Sequence, residues 1–176
     1  CRLGGILWVQ EGSRIICDAR GQFAYISGAF LDVTQQKKEE EALHKTNECF
    51  LGFSSVPEDN IRSLVGATGV ILDGDVAVYL KGPPGRMTVA EYWSEPAAGS
   101  CIDIKQFALA QHLFEKNSTG SVVACGLEHD PSTRDDPLVM KFGFKTFIGC
   151  AVNVREKMDG ALCVLYRRHK KIQPVR

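Results

Sequence analysis

Residues 143 to 166, GFKTFIGCAVNVREKMDGALCVLY, constrain the fold more than any other stretch of the chain. Thr146 to Val154 alternates and then thickens with apolar residues, and Ala161 to Tyr166 is a short run of Ala, Leu, Cys, Val and Leu. Such runs read as strands. Between them lies Met158-Asp159-Gly160, and Asp-Gly is a strong hairpin signal because both central positions of the favoured turn need positive φ. The sequence therefore predicts two adjacent antiparallel strands turning at Asp159-Gly160, at the centre of a sheet. None of these residues forms a catalytic constellation, so the question becomes what the sheet holds.

The neighbouring segments supply the rest of a sheet and its cover. Val76 to Lys81 and Met87 to Ser94 read as a second hairpin around the turn Gly82-Pro83-Pro84-Gly85. Before it, Asn60 to Leu72 carries apolar residues at 61, 64, 65, 71 and 72, an amphipathic helix with Pro57 in its first turn and Asp73-Gly74-Asp75 at its end. Gly66 and Gly69 cost helix stability, and close backbone packing is the expected reason for them. Between the hairpins, Ile104 to Lys116 has a helical apolar face, Val122 to Cys125 is a short strand, 127–137 is a polar loop and Leu138 to Phe142 a short helix. Together these elements predict an α+β fold, an antiparallel sheet of five or six strands flanked by helices.

Helix, hairpin, irregular middle and the Gly-Phe-Lys-Thr-Phe-Ile-Gly-Cys-Ala-Val stretch with its Asp-Gly and Gly-Ala-Leu-Cys-Val-Leu ending resemble a GAF domain, a small-molecule sensing module of signalling proteins. The resemblance implies that residues 57–176 form such a domain, with the Asp-Pro loop and the short helix as a cap over a cavity. The first residues are organised differently. Gly5 to Asp18 and Gln22 to Val33 read as two strands around Asp18-Ala19-Arg20-Gly21, with Thr34 as the N-cap of a helix that follows. Strand, Gly-containing turn, strand and Asp-Val-Thr-Gln-Gln-Lys-Lys-Glu-Glu-Glu-Ala-Leu are similar to the C-terminal end of a PAS domain, which assigns 1–34 to a PAS fragment without its ligand cavity and 35–56 to a linker helix. Two strands alone are marginal in water, so this N-terminal β-hairpin has to be covered by something. The helix stripe Ala42/Cys49 and Leu43/Phe50 fits a two-stranded signalling helix or docking on a sheet.

Charge and cysteine content narrow the partners. Twenty-one basic and 21 acidic residues give no net charge, so nothing in the total favours phosphate-driven nucleic-acid binding. No apolar run approaches the ~18–20 residues that cross a bilayer. Seven cysteines, an odd and scattered set without a Cys-x-x-Cys pair, predict free thiols in a reducing cytoplasm. The chain begins Cys1-Arg2-Leu3 and is expected to be a piece of a larger protein.

Cys125, Glu128, His129 and Asp130 form the nearest approach to a reactive cluster. They lack the two ligand pairs of a zinc site and the oriented base of a thiol nucleophile, so a buried structural Cys125 and a solvated His129 are expected. His112, on an amphipathic helix, reads as half-buried surface. No Cys-x-x-Cys-His haem attachment motif occurs. Within the resembled family, bilin binders carry a Cys-His dipeptide that this chain lacks. Cyclic-nucleotide binders carry Asn-Lys-x-Asp, which Glu156-Lys157-Met158-Asp159 matches only in part; Asp159 is expected to serve the turn. Arg167 to Lys171 reads as a solvated basic junction, and Trp8 and Trp93 as lone strand aromatics.

The expected function is regulatory: binding an unidentified small molecule, or relaying a conformational change, next to PAS and output domains in a histidine kinase or cyclic-di-GMP-type sensor, as a homodimer. Ligand sites are concave and mainly apolar with a few polar groups. On that ground Tyr92, Leu127, Val139, Phe142, Phe147, Cys150 and Cys163 are expected to line the chamber, with Ser100, His129 and Asp130 as polar contacts and no metal. Two alternatives stand beside it: a dimerisation module without ligand, built on the helix 35–53, and a thiol enzyme like the methionine-sulfoxide reductases that share this fold.

Overall fold

The computed structural model describes residues 6–83, 85–94, 109–110, 113–114 and 120–170. The chain divides into two compact units, Cys1–Asn47 and Glu48–Arg176, with the division inside a helix.

In the first unit β1 (Val9–Cys17) pairs antiparallel with β2 (Phe23–Asp32). Their turn is built as its sequence indicates: Asp18 Oδ1 accepts from the N–H groups of Arg20 (2.8 Å) and Gln22 (2.9 Å), and Gly21 takes φ 78°. Helix α1 (Thr34–Leu51) follows. Thr34 does not cap it. The Lys37 N–H donates to the Val33 carbonyl at 2.9 Å, so Val33 holds the cap position, while the Thr34 hydroxyl accepts from Trp8 N at 2.9 Å and ties the start of β1 to the helix. The helix stops before Gly52, and it buries none of its side chains fully.

The second unit is built on a five-stranded antiparallel sheet with the order β4-β3-β7-β6-β5: β3 (Val76–Lys81), β4 (Thr88–Ser94), β5 (Ser121–Cys125), β6 (Thr146–Val154) and β7 (Lys157–Tyr166). Both predicted hairpins are present, and β7 lies between β3 and β6. The turn of the central hairpin, however, is Arg155-Glu156, not Asp159-Gly160. Val154 faces Lys157, and Arg155 and Glu156 both take positive φ (49° and 64°), so β7 begins earlier than its apolar run suggests. Asp159 is the extra residue of a β-bulge between the Asn153/Met158 and Val152/Gly160 pairs. Its carbonyl accepts from Gly82 N at 2.7 Å. Gly160 is required by proximity: a Cβ there would lie 2.4 Å from the Leu80 carbonyl oxygen of β3. Asp-Gly thus serves a bulge and a close strand approach.

Alternation divides the sheet into two covered faces. On one, Ala77, Val164 and Tyr166 pack with Val65 and Ile61 of α2 (Pro57–Ile71). Pro57 opens that helix, as its sequence predicts. Trp93 of β4 lies over Gly69, where an added Cβ would sit 2.0 Å from the indole, which explains why this helix tolerates a glycine. The other face carries Val76, Val78, Leu80, Phe147, Ala161, Cys163 and Leu165, and is covered by Leu109, Ala110 and Phe114, by Leu127, and by Leu138 and Val139 of α3 (Pro137–Phe142). Of the predicted helix 104–116, residues 109–110 and 113–114 are helical; the remainder lies outside the described residues.

The basic run after β7 is anchored. Arg168 pairs with Asp73 and donates to its carbonyl, Lys170 Nζ donates to the Leu72 carbonyl at 2.7 Å, and Tyr166 Oη donates to the same carbonyl at 3.2 Å. Cations and donors thereby meet the unpaired carbonyls at the C-terminal end of α2, where they are electrostatically favoured. Lys171 lies outside the described residues. Among the described residues no helix is long and apolar enough to cross a membrane.

Candidate functional site

The candidate site is the face of the sheet opposite α2. The loop over it holds itself together. Gly126 N and Leu127 N both donate to the Lys145 carbonyl, Thr133 Oγ1 donates to the Leu127 carbonyl at 2.8 Å, and Asp130 Oδ1 accepts from both the N–H and the hydroxyl of Ser132. Asp136 then caps α3 by accepting from Leu138 N at 2.8 Å, and Gly143 ends the helix with φ 69°. These bonds hold the loop over Leu127, Leu138 and Val139, which are buried against the sheet, and Thr133 is buried with them.

Leu127, Val139, Phe147 and Cys163 come together in one buried cluster, with Phe142 packed at its margin. Tyr92 lies on the same face by its pairing with Val78, half-exposed on the edge strand β4. Cys150 falls on the opposite face, since it stands three positions from Phe147 along β6, and it is exposed. His129 points to solvent, with 81 % of its side chain exposed and Nε2 3.9 Å from Glu128, whereas Cys125, expected to be buried, is exposed at the end of β5 with its thiol 3.9 Å from the Lys170 carbonyl. Asp130 is spent on the turn with Ser132. Ser100 lies outside the described residues.

Sequence reasoning gave Phe114 and Gly149 no place in the site, and named Glu128 only as a neighbour of Cys125 and His129. Phe114 is fully buried and meets Phe147 edge-on, ring centroids 6.2 Å apart. Gly149 lies beneath both rings; a Cβ there would be 2.8 Å from Phe114 Cζ and equally close to the Phe147 ring. A glycine inside an apolar strand was the available signal. Glu128 receives His169 Nε2 at 3.1 Å on Oε1, while its Oε2 is buried without a hydrogen-bond partner.

The chemistry of this face is apolar. Burial, and secondarily the nearby Cys150, pushes the Cys163 thiol well above its ordinary range, so it stays protonated. Among the described residues no group of three His, Cys, Asp or Glu side chains is placed to hold a metal ion. A separate open hollow of about 330 Å³ on the β1–β2 hairpin is lined by Gly12, Ser13, Arg14, Ser27, Gly28 and Ala29.

The fold of the chain is similar to that of several solved structures. The phycocyanobilin-bound GAF domain of a cyanobacterial phytochrome superposes with a TM-score of 0.56 at 13% identity, over 77% of this chain and 83% of that one. This is a GAF fold. The GAF domain of a phosphoenolpyruvate-protein phosphotransferase from Coxiella burnetii gives 0.56 at 11% identity, over 76% of this chain and 81% of that one. The chromophore-binding domain of an unusual bacteriophytochrome from R. palustris gives 0.61 at 7% identity, over 77% and 55%. No protein-family model matches the chain, and no curated protein matches it. At such identities the likeness is one of architecture.

Proposed function

We propose that residues 57–176 form the sensory module of a multidomain cytoplasmic signalling protein, of histidine-kinase or cyclic-di-GMP type, binding a small molecule between the sheet and its cap or relaying a conformational change through them. The observation that carries this reading is the GAF fold itself, with its cap-side face apolar and walled by Leu127, Val139, Phe147 and Cys163. Two neighbours of the fold hold bilins in that form of domain; the absence of a Cys-His dipeptide here favours a non-covalent occupant. Tyr92, Phe142 and Ser100 are proposed at the chamber margin and His129 and Asp130 at its polar rim, whereas Cys150, on the other face, is the weakest member of the set.

Binding is favoured over thiol catalysis by the placement of the cysteines. Cys163 is buried and protonated, and Cys150 faces the other way, so the two do not form a nucleophile with a resolving partner. Residues 1–34 are proposed as the end of an adjacent PAS domain. A homodimer through α1 is supported by Leu43 and Phe50, seven residues apart and both exposed on that helix.

Native mass spectrometry of the chain purified from its own cytoplasm tests the sensor reading. A retained small molecule appears as a fixed mass difference, lost on unfolding; a bare mass under all conditions, together with no thermal shift across a metabolite set, overturns it. Sedimentation with and without Leu43→Asp tests the dimer, and a monomer in both cases discards it.

A further inference from the structure

We propose that Phe114 is a built-in plug of the cap-side face, and that the occupant which replaces it is a neutral, flat, apolar ring of phenyl to indole size; this rests on the small-molecule reading above. Gly149 stands in the middle of β6 without a positive φ, so its backbone conformation does not call for glycine. What it provides is room. It is paired with Cys163 on one side and Val122 on the other, both buried on the same face, and Phe147 rises beside it. The result is a notch one ring wide, and the ring in it is the chain's own Phe114, with an edge-to-face approach of 72° to Phe147. Phe114 reaches the notch from the segment between β4 and β5, which belongs to neither paired strand of the floor. Phe147, Gly149, Val122 and Cys163 offer no cation, anion or strong hydrogen-bond donor, so a charged occupant would be desolvated without compensation. An aromatic ring would instead regain the edge contact with Phe147. A ligand of this class therefore competes with a side chain, and its apparent affinity is reduced by the fraction of molecules in which the notch is filled from within.

The test titrates indole into the full chain by calorimetry. Phe114→Ala is expected to bind at least tenfold more tightly than the unsubstituted chain, Phe114→Leu to fall between them, and Phe114→Ala with Gly149→Ala to lose the gain. Phe144→Ala, which removes an equally buried ring elsewhere in the same cluster, separates a specific notch from any engineered void. The plug is overturned if Phe114→Ala or, should that variant not fold, Phe114→Leu binds no better than the unsubstituted chain. It is equally overturned if Phe144→Ala gains as much. A retained molecule in native mass spectra without any gain in the Phe114 variants removes the plug and leaves the sensor reading. No retained molecule and no indole binding by any variant removes both.

Discussion

The hairpins β1–β2 and β6–β7 have the same local logic and opposite fates. Each is an antiparallel pair rich in Ile, Val and Phe with a tight turn, yet β1–β2 exposes residues on both faces, whereas β7 buries six of its last seven positions. Phe30 is 74 % exposed and Phe147 is 0 % exposed. Turn chemistry and alternation set the pairing in both; what differs is cover. A hairpin becomes a stable element only when another layer removes its apolar face from water, and in the second unit α2 and the cap do so from either side.

The largest expected effect follows from that contrast. Phe147→Ala should lower the unfolding free energy of the second unit by roughly 3–5 kcal/mol, by transfer loss and an uncollapsed cavity. Phe30→Ala should change it by less than about 0.5 kcal/mol. Urea denaturation followed by Trp93 fluorescence in a Trp8→Phe background measures both, and similar losses from the two variants would show that the first hairpin shares the second unit's core.

Glycines sharpen the comparison at the next magnitude. Gly160→Ala drives a Cβ against a backbone oxygen that has no rotamer to yield, and should cost about 1–3 kcal/mol. Gly12→Ala in β1 meets nothing within 4 Å and should be neutral. The same denaturation series reads both.

These glycines also mark how far the sequence could be read. Apolar alternation located all the described strands of the sheet, Pro57 located the start of α2, and Gly69 announced the close packing that Trp93 supplies. Asp159-Gly160 was legible as special, but a bulge and a turn use the same residue pair, and only the register against β3 separates them. Thr34 has the right chemistry for a cap and spends its hydroxyl on Trp8. The apolar wall of the candidate site could be named from hydrophobic pattern, whereas Phe114 on Gly149 could not, because that contact joins segments far apart in the chain. Cys150 was placed by its apolar neighbours and overruled by strand alternation.

The two turns predict a gain rather than a loss. The β1–β2 turn already has a glycine at positive φ and a carboxylate bonded to two N–H groups, so there is little left to improve. The β6–β7 turn places Arg155 and Glu156 at positive φ, a conformation that disfavours both. Replacing the pair by Asn-Gly should stabilise the second unit by about 1 kcal/mol, read as a higher urea midpoint at unchanged slope. An unchanged midpoint would mean that these side chains make compensating contacts.

The smallest effects separate the units by pH. In the first, Thr34 holds the Asp32 carboxylate below its ordinary range by hydrogen bonding, a hydrogen bond from Lys37 and then one from Gln36 do the same for Glu40, and Lys45 does so for Glu41. A depressed carboxylate contributes stability above its unfolded pKa and loses it as pH falls through the folded one, so α1 should fray below about pH 4. All three are exposed, so the change is slight and shrinks further with salt. In the second unit burial, and then the nearby Asp73, pushes the Tyr166 phenol up to about 12. A raised phenol contributes fully below its unfolded value of about 10 and is lost as pH rises from there toward about 12. Amide resonances of α1 followed in acid, and tyrosinate absorbance with Trp93 fluorescence followed in alkali, should show the first unit loosening only at the acid end and the second at the alkaline end. If α1 and the second unit instead respond together at either end, they unfold as one body, and the contrast between a covered and an uncovered hairpin does not describe independent units.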